Sequence, residues 1–265
     1  MVTMDQLEQV AWWHQAHSFV RGNWGNEGRS SFMLLAKSCH DIDYMAHLVG
    51  SECRRVQSFG GLSYFTRENA PTGSGERCTE CAVERGCAYS ALRRYVDVDV
   101  EKTWPAQAVS PLDYSREARL RAVTTGPYGR CVWKCDNDVV DHQVVAMEFE
   151  GGITATFTMT AFTQTTGRVI RVHGTGGEVE FNEDRMQVRT FADGRTEDIV
   201  FKEEEGGHGG GDERFVVSFL GAVRENNPSL VLTDVHESLR THTIVFAAER
   251  SRLQGRTVEM EEMEA

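Results

Sequence analysis

The chain carries no Gly-x-Gly-x-x-Gly after a strand-like run, no Gly-Lys-Ser/Thr loop, no Gly-x-Ser-x-Gly elbow and no His-Glu-x-x-His pair. Those absences exclude the usual dinucleotide fingerprint, the P-loop phosphate cradle, the serine-hydrolase turn and the zinc-protease helix. Nor is there a basic run, and the formal net charge is −12 over 265 residues. Phosphate backbones are bound by clustered Lys and Arg, so nucleic acid is excluded as a main partner. No apolar stretch approaches the roughly 20 residues of a membrane-spanning helix. The opening MVTMDQLEQV lacks the basic and apolar regions of a secretory signal. A cytoplasmic protein without a membrane partner is expected. Internal repeats and an interdomain linker are also missing.

Seven cysteines are present: Cys39, Cys53, Cys78, Cys81, Cys87, Cys131 and Cys135. An odd count with no secretion signal argues against a disulfide framework. Three of them, Cys78, Cys81 and Cys87, share one polar loop, part of a cysteine-rich insert over 66–91. Two thiols two residues apart can clamp a zinc ion, and a third nearby leaves one ligand to find. Cys39, Cys131, Cys135 or a histidine would complete the set. Plain thiols in a loop are the equal alternative.

Hydrophobic residues make up 40% of the chain, enough for a real core. Partial alternation predicts a strand over 7–20 and another, with a glycine bulge, over 54–65. A helix is predicted over 31–49, closed by Gly50. Short helices follow over 88–95 and 115–123. From Asp141 the pattern turns to strands, over 141–149, 153–162, 168–173, 178–181, 186–191 and 196–201. Gly151-Gly152 between the first two is a hairpin signal. A helix opening at Asp212 as N-cap carries Phe215, Phe219 and Val223 at helical spacing. Another runs over 233–253 and stops at Gly255. Helices followed by an antiparallel meander indicate one α+β domain over 1–265.

The densest chemistry lies in Lys37-Ser38-Cys39-His40-Asp41. At helical spacing Lys37 meets His40 (i, i+3) and Asp41 (i, i+4) on one face. A cation, an imidazole and a carboxylate then stand within reach of one small molecule. The plainer alternative is a salt-bridged surface helix. Gly206 to Asp212, with His208 inside, precedes a helix, where backbone amides can hold an anion. A flexible linker is the alternative there. Asp138, Asp141 and His142 read better as turn-forming residues at a strand start than as a catalytic group.

Several segments, taken in order, resemble the C-terminal half of the Gfo/Idh/MocA oxidoreductases. They are His17-Ser18-Phe19-Val20-Arg21-Gly22-Asn23-Trp24, Leu35 to Asp43, Arg77-Cys78 through Cys87-Ala88-Tyr89-Ser90-Ala91, and Tyr128-Gly129-Arg130-Cys131 to Asp141-His142-Gln143. The likeness continues through Gly207-His208-Gly209-Gly210-Gly211-Asp212 and Phe246 to Arg252.

The resemblance implies an open, largely antiparallel β-sheet with helices on one face and subunit contacts on the other. It implies an NAD(P)-dependent enzyme acting on sugars, inositols or related polyols. In that family a Rossmann domain holds the cofactor, and a Glu-Lys-Pro motif there supplies a lysine. Neither feature occurs in this chain, so it is expected to hold no cofactor alone and to need a Rossmann domain upstream or in trans. The family's acid–base histidine falls on His40, which Lys37 and Asp41 would tune near neutral pH. The aspartate that many members carry four residues earlier is Ala36 here, and Lys37 is the candidate substitute. Arg21, Asn23, Trp24 and His208 would line the sugar pocket. A homo-oligomer, or pairing with a Rossmann-containing subunit, is expected. The main alternative is a non-catalytic assembly or ligand-binding partner of a full-length relative. A weaker one is a cofactor-free lyase or isomerase using His40 and Lys37.

Overall fold

The structure is a computed structural model that describes residues 1–100, 103–202, 210–231 and 233–263. Its centre is a nine-stranded open sheet in the order β8-β7-β6-β5-β1-β4-β3-β2-β9. The strands are β1 (Thr3–Gln9), β2 (Cys53–Gly61), β3 (His142–Phe149), β4 (Thr154–Thr160), β5 (Gly167–His173), β6 (Gly177–Asn182), β7 (Arg185–Thr190), β8 (Thr196–Val200) and β9 (Val258–Glu259). Neighbours run antiparallel except β1 and β4, which are parallel, with Thr3 opposite Thr154. The expected meander is thus split: β1 inserts between β4 and β5.

Strict alternation of buried and more accessible residues along β1, β3 and β4 marks a sheet with one fully covered face. Val145, Met147, Ala155 and Phe157 point into that face. Two long helices cover it, α2 (Met33–Val49) and α6 (Val235–Gln254). In α2 the buried positions Leu34, Ser38, Asp41, Ile42 and Met45 recur at the helical period. The core they share with Ile244, Val245 and Ala248 of α6 gains about 1.5–3 kcal/mol for each large apolar side chain removed from water. Gly50 ends α2 at φ 68°, and its N–H donates to the Ala46 carbonyl at 3.0 Å. That left-handed conformation favours glycine. Asp234 caps α6, its carboxylate accepting from the His236 and Glu237 N–H groups.

The strand expected over 7–20 is corrected. The extended chain ends at Val10, Ala11 takes φ 69°, and the short helix α1 (Trp12–His14) leads into a π-helical stretch, Gln15–Arg21. All seven residues of that stretch are buried, so they show no alternation between two faces. The short helix expected over 88–95 is a π-helical turn, Leu92–Val96. A further helix, α3 (Trp104–Val109), has no counterpart in the sequence reading, and α4 (Arg116–Thr125) is capped by Ser115. Helix α5 (Gly211–Glu225) takes Gly210, not Asp212, as its N-cap. Phe215, Phe219 and Val223 of α5 are at least half exposed, so its apolar stripe faces outward.

Candidate functional site

The alternation that places Met4 in the core also sends Gln6 and Glu8 into the covered face, where both are buried. Burying such groups is costly unless they are paired. Their partners come from β5 and α2. Arg168 lies opposite Glu8 in the β1–β5 ladder. From above, Lys37 makes a short contact with Glu8. The Gln6 amide donates to Asp41 Oδ1 at 2.8 Å, and Arg168 Nε donates to the same oxygen at 2.5 Å. Arg168 Nε also lies 3.6 Å from Glu8 Oε2. His40 Nε2 stands 3.5 Å from Asp41 Oδ2. Two carboxylates, two cations and an imidazole therefore meet where α2 crosses β1.

The two carboxylates differ from the imidazole in access. The Asp41 side chain is fully buried, whereas that of His40 is 54% exposed. Burial pushes the Asp41 carboxyl above the usual range, against the pull of Arg168 and Lys37. Burial and the nearby Asp41 charge raise Glu8 likewise, against Lys37 and Arg168. Asp41 Oδ2 and Glu8 Oε2 are buried oxygens without a hydrogen-bond partner. A half-exposed imidazole thus stands beside a buried carboxyl held above its usual range, an arrangement suited chemically to acid–base work.

His14, the last residue of α1, feels the Lys37 charge of the same neighbourhood. Burial, reinforced by the Lys37 charge, lowers its pKa to about 4. Its ring packs against Trp104 at 5.3 Å. Gln6, Glu8, His14 and Arg168 were all missed by sequence reasoning. The signal for Gln6 and Glu8 was available: both occupy inward positions of an alternating strand. Arg168 has no local signal.

Of the expected sugar-pocket residues, Arg21 and Asn23 line one cavity, whose lining does not include Lys37, His40 or Asp41. Arg21 is buried and acts as a tie between loops, donating to the Arg130 carbonyl at 2.8 Å and the Tyr89 carbonyl at 2.7 Å. Asn23 is exposed, and the 41%-exposed Trp24 stacks on Phe19 with ring centres 5.9 Å apart. His208, with Gly206, Gly207 and Gly209 of the proposed anion loop, lies outside the described residues. Asp141 is structural: its carboxylate accepts from the Ser63 and Tyr64 N–H groups and pins that loop to β3.

The zinc centre expected at Cys78, Cys81 and Cys87 is also corrected. These three thiols line one small cavity together with Cys131 and Arg21. Among the described residues, however, no group of three or more His, Cys, Asp or Glu side chains is arranged to hold a metal ion. The physical reason is the cation already there. Arg21 donates to Cys78 Sγ at 3.5 Å, and its charge acts on Cys87, Cys131 and Cys135. Burial holds these last three as thiols, Cys135 pushed up to about 11. All seven cysteines are free. No helix among the described residues is long and apolar enough to cross a membrane.

Comparison with known proteins fits this geometry. The sequence model of the oxidoreductase family, C-terminal alpha/beta domain, matches residues 3–260. A protein named as an oxidoreductase, YteT of Bacillus subtilis (strain 168), is 25% identical over 232 residues, 79% of this chain and 51% of YteT. An oxidoreductase from Agrobacterium radiobacter, solved with NAD+, L-tartaric acid and magnesium, shares the fold at a TM-score of 0.60 and 10% identity. It is matched over 99% of this chain and 57% of its own. A levoglucosan dehydrogenase, solved with NADH and levoglucosan, does so at a TM-score of 0.58 and 14% identity, over 97% of this chain and 58% of its own. The chain thus spans about half the length of the curated relative it matches. With its family pattern running almost end to end over the nine-stranded sheet and its two covering helices, the chain belongs to the Gfo/Idh/MocA oxidoreductase family, as that family's C-terminal alpha/beta domain.

Proposed function

We propose that this chain is the substrate-binding half of an NAD(P)-dependent oxidoreductase acting on a sugar or polyol. The observation that carries the reading is the cluster of Glu8, Lys37, His40, Asp41 and Arg168, with His40 open to solvent above two buried carboxyls. The described residues hold no strand–glycine-turn–helix crossover, and β1 and β4 are the sheet's single parallel pair. The nicotinamide would be held by a Rossmann domain on the same polypeptide or on a partner.

The proton side of the reaction falls to this chain. His40 exchanges a proton with the substrate oxygen, and Asp41 stabilises the imidazolium that results. Lys37, anchored on Glu8, keeps a positive field beside the developing oxyanion. Support for a polyol comes from the levoglucosan dehydrogenase with the same fold, whose ligand is a sugar derivative.

Calorimetry with NADH and NADPH, followed by assay with a Rossmann-containing partner and a panel of polyols, tests the reading. No binding by the chain alone and polyol-dependent NAD(P)+ reduction in the mixture are expected. Tight cofactor binding by the chain alone would overturn the division of labour. A stable complex with a full-length relative and no turnover would favour a non-catalytic assembly partner instead.

A further inference from the structure

A second cavity, of about 480 Å³, opens among the loops beyond the π-helical stretch and is lined by Arg21, Arg29, Arg77 and Arg130, with Asn23 and Tyr128. Four arginines lining one hollow are unusual in a chain of net charge −12, although the Arg21 guanidinium itself is turned inward to the Tyr89 and Arg130 carbonyls. Their acidic counterweight is small. Arg29 and Arg130 share a single carboxylate, Asp136, each at 2.6 Å. Arg21 and Arg77 bond to uncharged groups: Arg21 to two carbonyls and a sulfur, Arg77 to the Val123 and Gly126 carbonyls. Arg77 Nε is buried without a hydrogen-bond partner. Buried or half-buried charge that lacks a counter-ion is costly, and the cost falls when an anion arrives.

The loop is shaped to keep Arg77 in place. A Cβ on Gly129 would lie 1.7 Å from the Val123 carbonyl oxygen and 2.9 Å from the Arg77 guanidinium. Only a residue without a side chain lets the 123–129 turn close over Arg77. The planar forks of several arginines match the oxygens of phosphate better than a point charge would.

We infer that this cavity binds a small oxyanion, a phosphate group either free or carried on a small molecule. The lining excludes Lys37, His40 and Asp41, so the inference stands whether or not the oxidoreductase reading holds.

The test is titration of the full chain with inorganic phosphate at fixed ionic strength, with chloride as reference. Phosphate should bind, and Arg29→Gln should weaken it at least tenfold. Arg29 is 60% exposed, so the fold should tolerate this change. Asp136→Asn, which removes the shared acid, should tighten binding at least threefold. Arg195→Gln removes the same charge from β8, whose side chain is 67% exposed, and should change nothing. Tighter binding of glucose 6-phosphate than of either phosphate or glucose would assign the anion to a phosphorylated sugar. Equal affinity for the two phosphates would assign it to the free ion. Phosphate binding no better than chloride overturns the inference, as does an equal loss in the Arg29 and Arg195 variants.

Discussion

Glu8 and Arg168 face each other across the β1–β5 ladder, and Arg168 reaches past Glu8 to bond Asp41 on the helix above. One guanidinium thereby joins sheet and helix, and it bears on both buried carboxyls.

Replacing Asp41 by Leu strips Arg168 and the Gln6 amide of a shared acceptor. Breaking a buried ion pair from one side costs about 3 kcal/mol, and less here because Arg168 keeps some solvent. Urea unfolding should show that loss, and adding Arg168→Met should recover part of it. A loss under about 1 kcal/mol would show that the pair contributes little to stability.

In the assembled enzyme His40→Ala should lower kcat at least a hundredfold, within the usual range for removing an acid–base group. Its exposed side chain makes the change tolerable to the fold, so the melting temperature should hold. Unchanged turnover would remove His40 from the chemistry. Glu8→Gln, which acts through Lys37, should shift the pH profile of kcat rather than abolish activity.

The chain should lose stability between pH 6.5 and about 4. His14 and His17 are held neutral by burial, their pKa values lowered from 6.5 to about 4. The unfolded chain binds those protons first, so the stability they allow is complete above pH 6.5 and drains away as pH falls through the window. Glu8 and Asp41 act in the opposite sense, since raised carboxyl pKa values favour folding at low pH and lose that advantage as pH climbs. Melting curves at pH 7 and pH 4.5 check the balance. His17→Phe, which preserves the stack on Tyr128, should flatten the acid limb.

Arg21→Met should cost about 3 kcal/mol, because it orphans the carbonyls of Tyr89 and Arg130 inside the protein. It also removes the cation that the cysteine loop surrounds. Thiol titration with a disulfide reagent should then reach Cys78, Cys87 and Cys131 faster than in the parent chain. Equal rates would mean that other contacts hold the loop.

The parts of the fold that could be read from sequence are those with local causes. Helix α2 declares itself through Leu34, Ile42 and Met45 and ends at a glycine that takes positive φ. Gly151 and Gly152, both at positive φ, mark the β3–β4 turn. The π-helical stretch was misread because a segment buried on every side has no period to follow. The candidate site was half legible for the same reason. Lys37, His40 and Asp41 share one helix, whereas Glu8 lies 29 residues before Lys37 and Arg168 lies 127 after Asp41. The cysteine spacing suits a metal, and only the fold brings in Arg21, 57 residues upstream of Cys78, to occupy the centre of that loop.

The position of β1 sets a timetable for synthesis. Thr3 pairs beside Thr154, 151 residues further on, and β5 must follow before the other edge of β1 is satisfied. On a ribosome β1 would emerge well before β4 and β5 and wait with both edges bare while α2 and the cysteine loop are made. Long-range pairing of this kind slows folding and leaves strand edges open to the wrong neighbour. Its inward face offers Gln6 and Glu8 instead of a continuous apolar strip, which would make that waiting strand less prone to wrong pairing. The same two polar side chains that complete the ion cluster in the finished protein would thus also guard the nascent one.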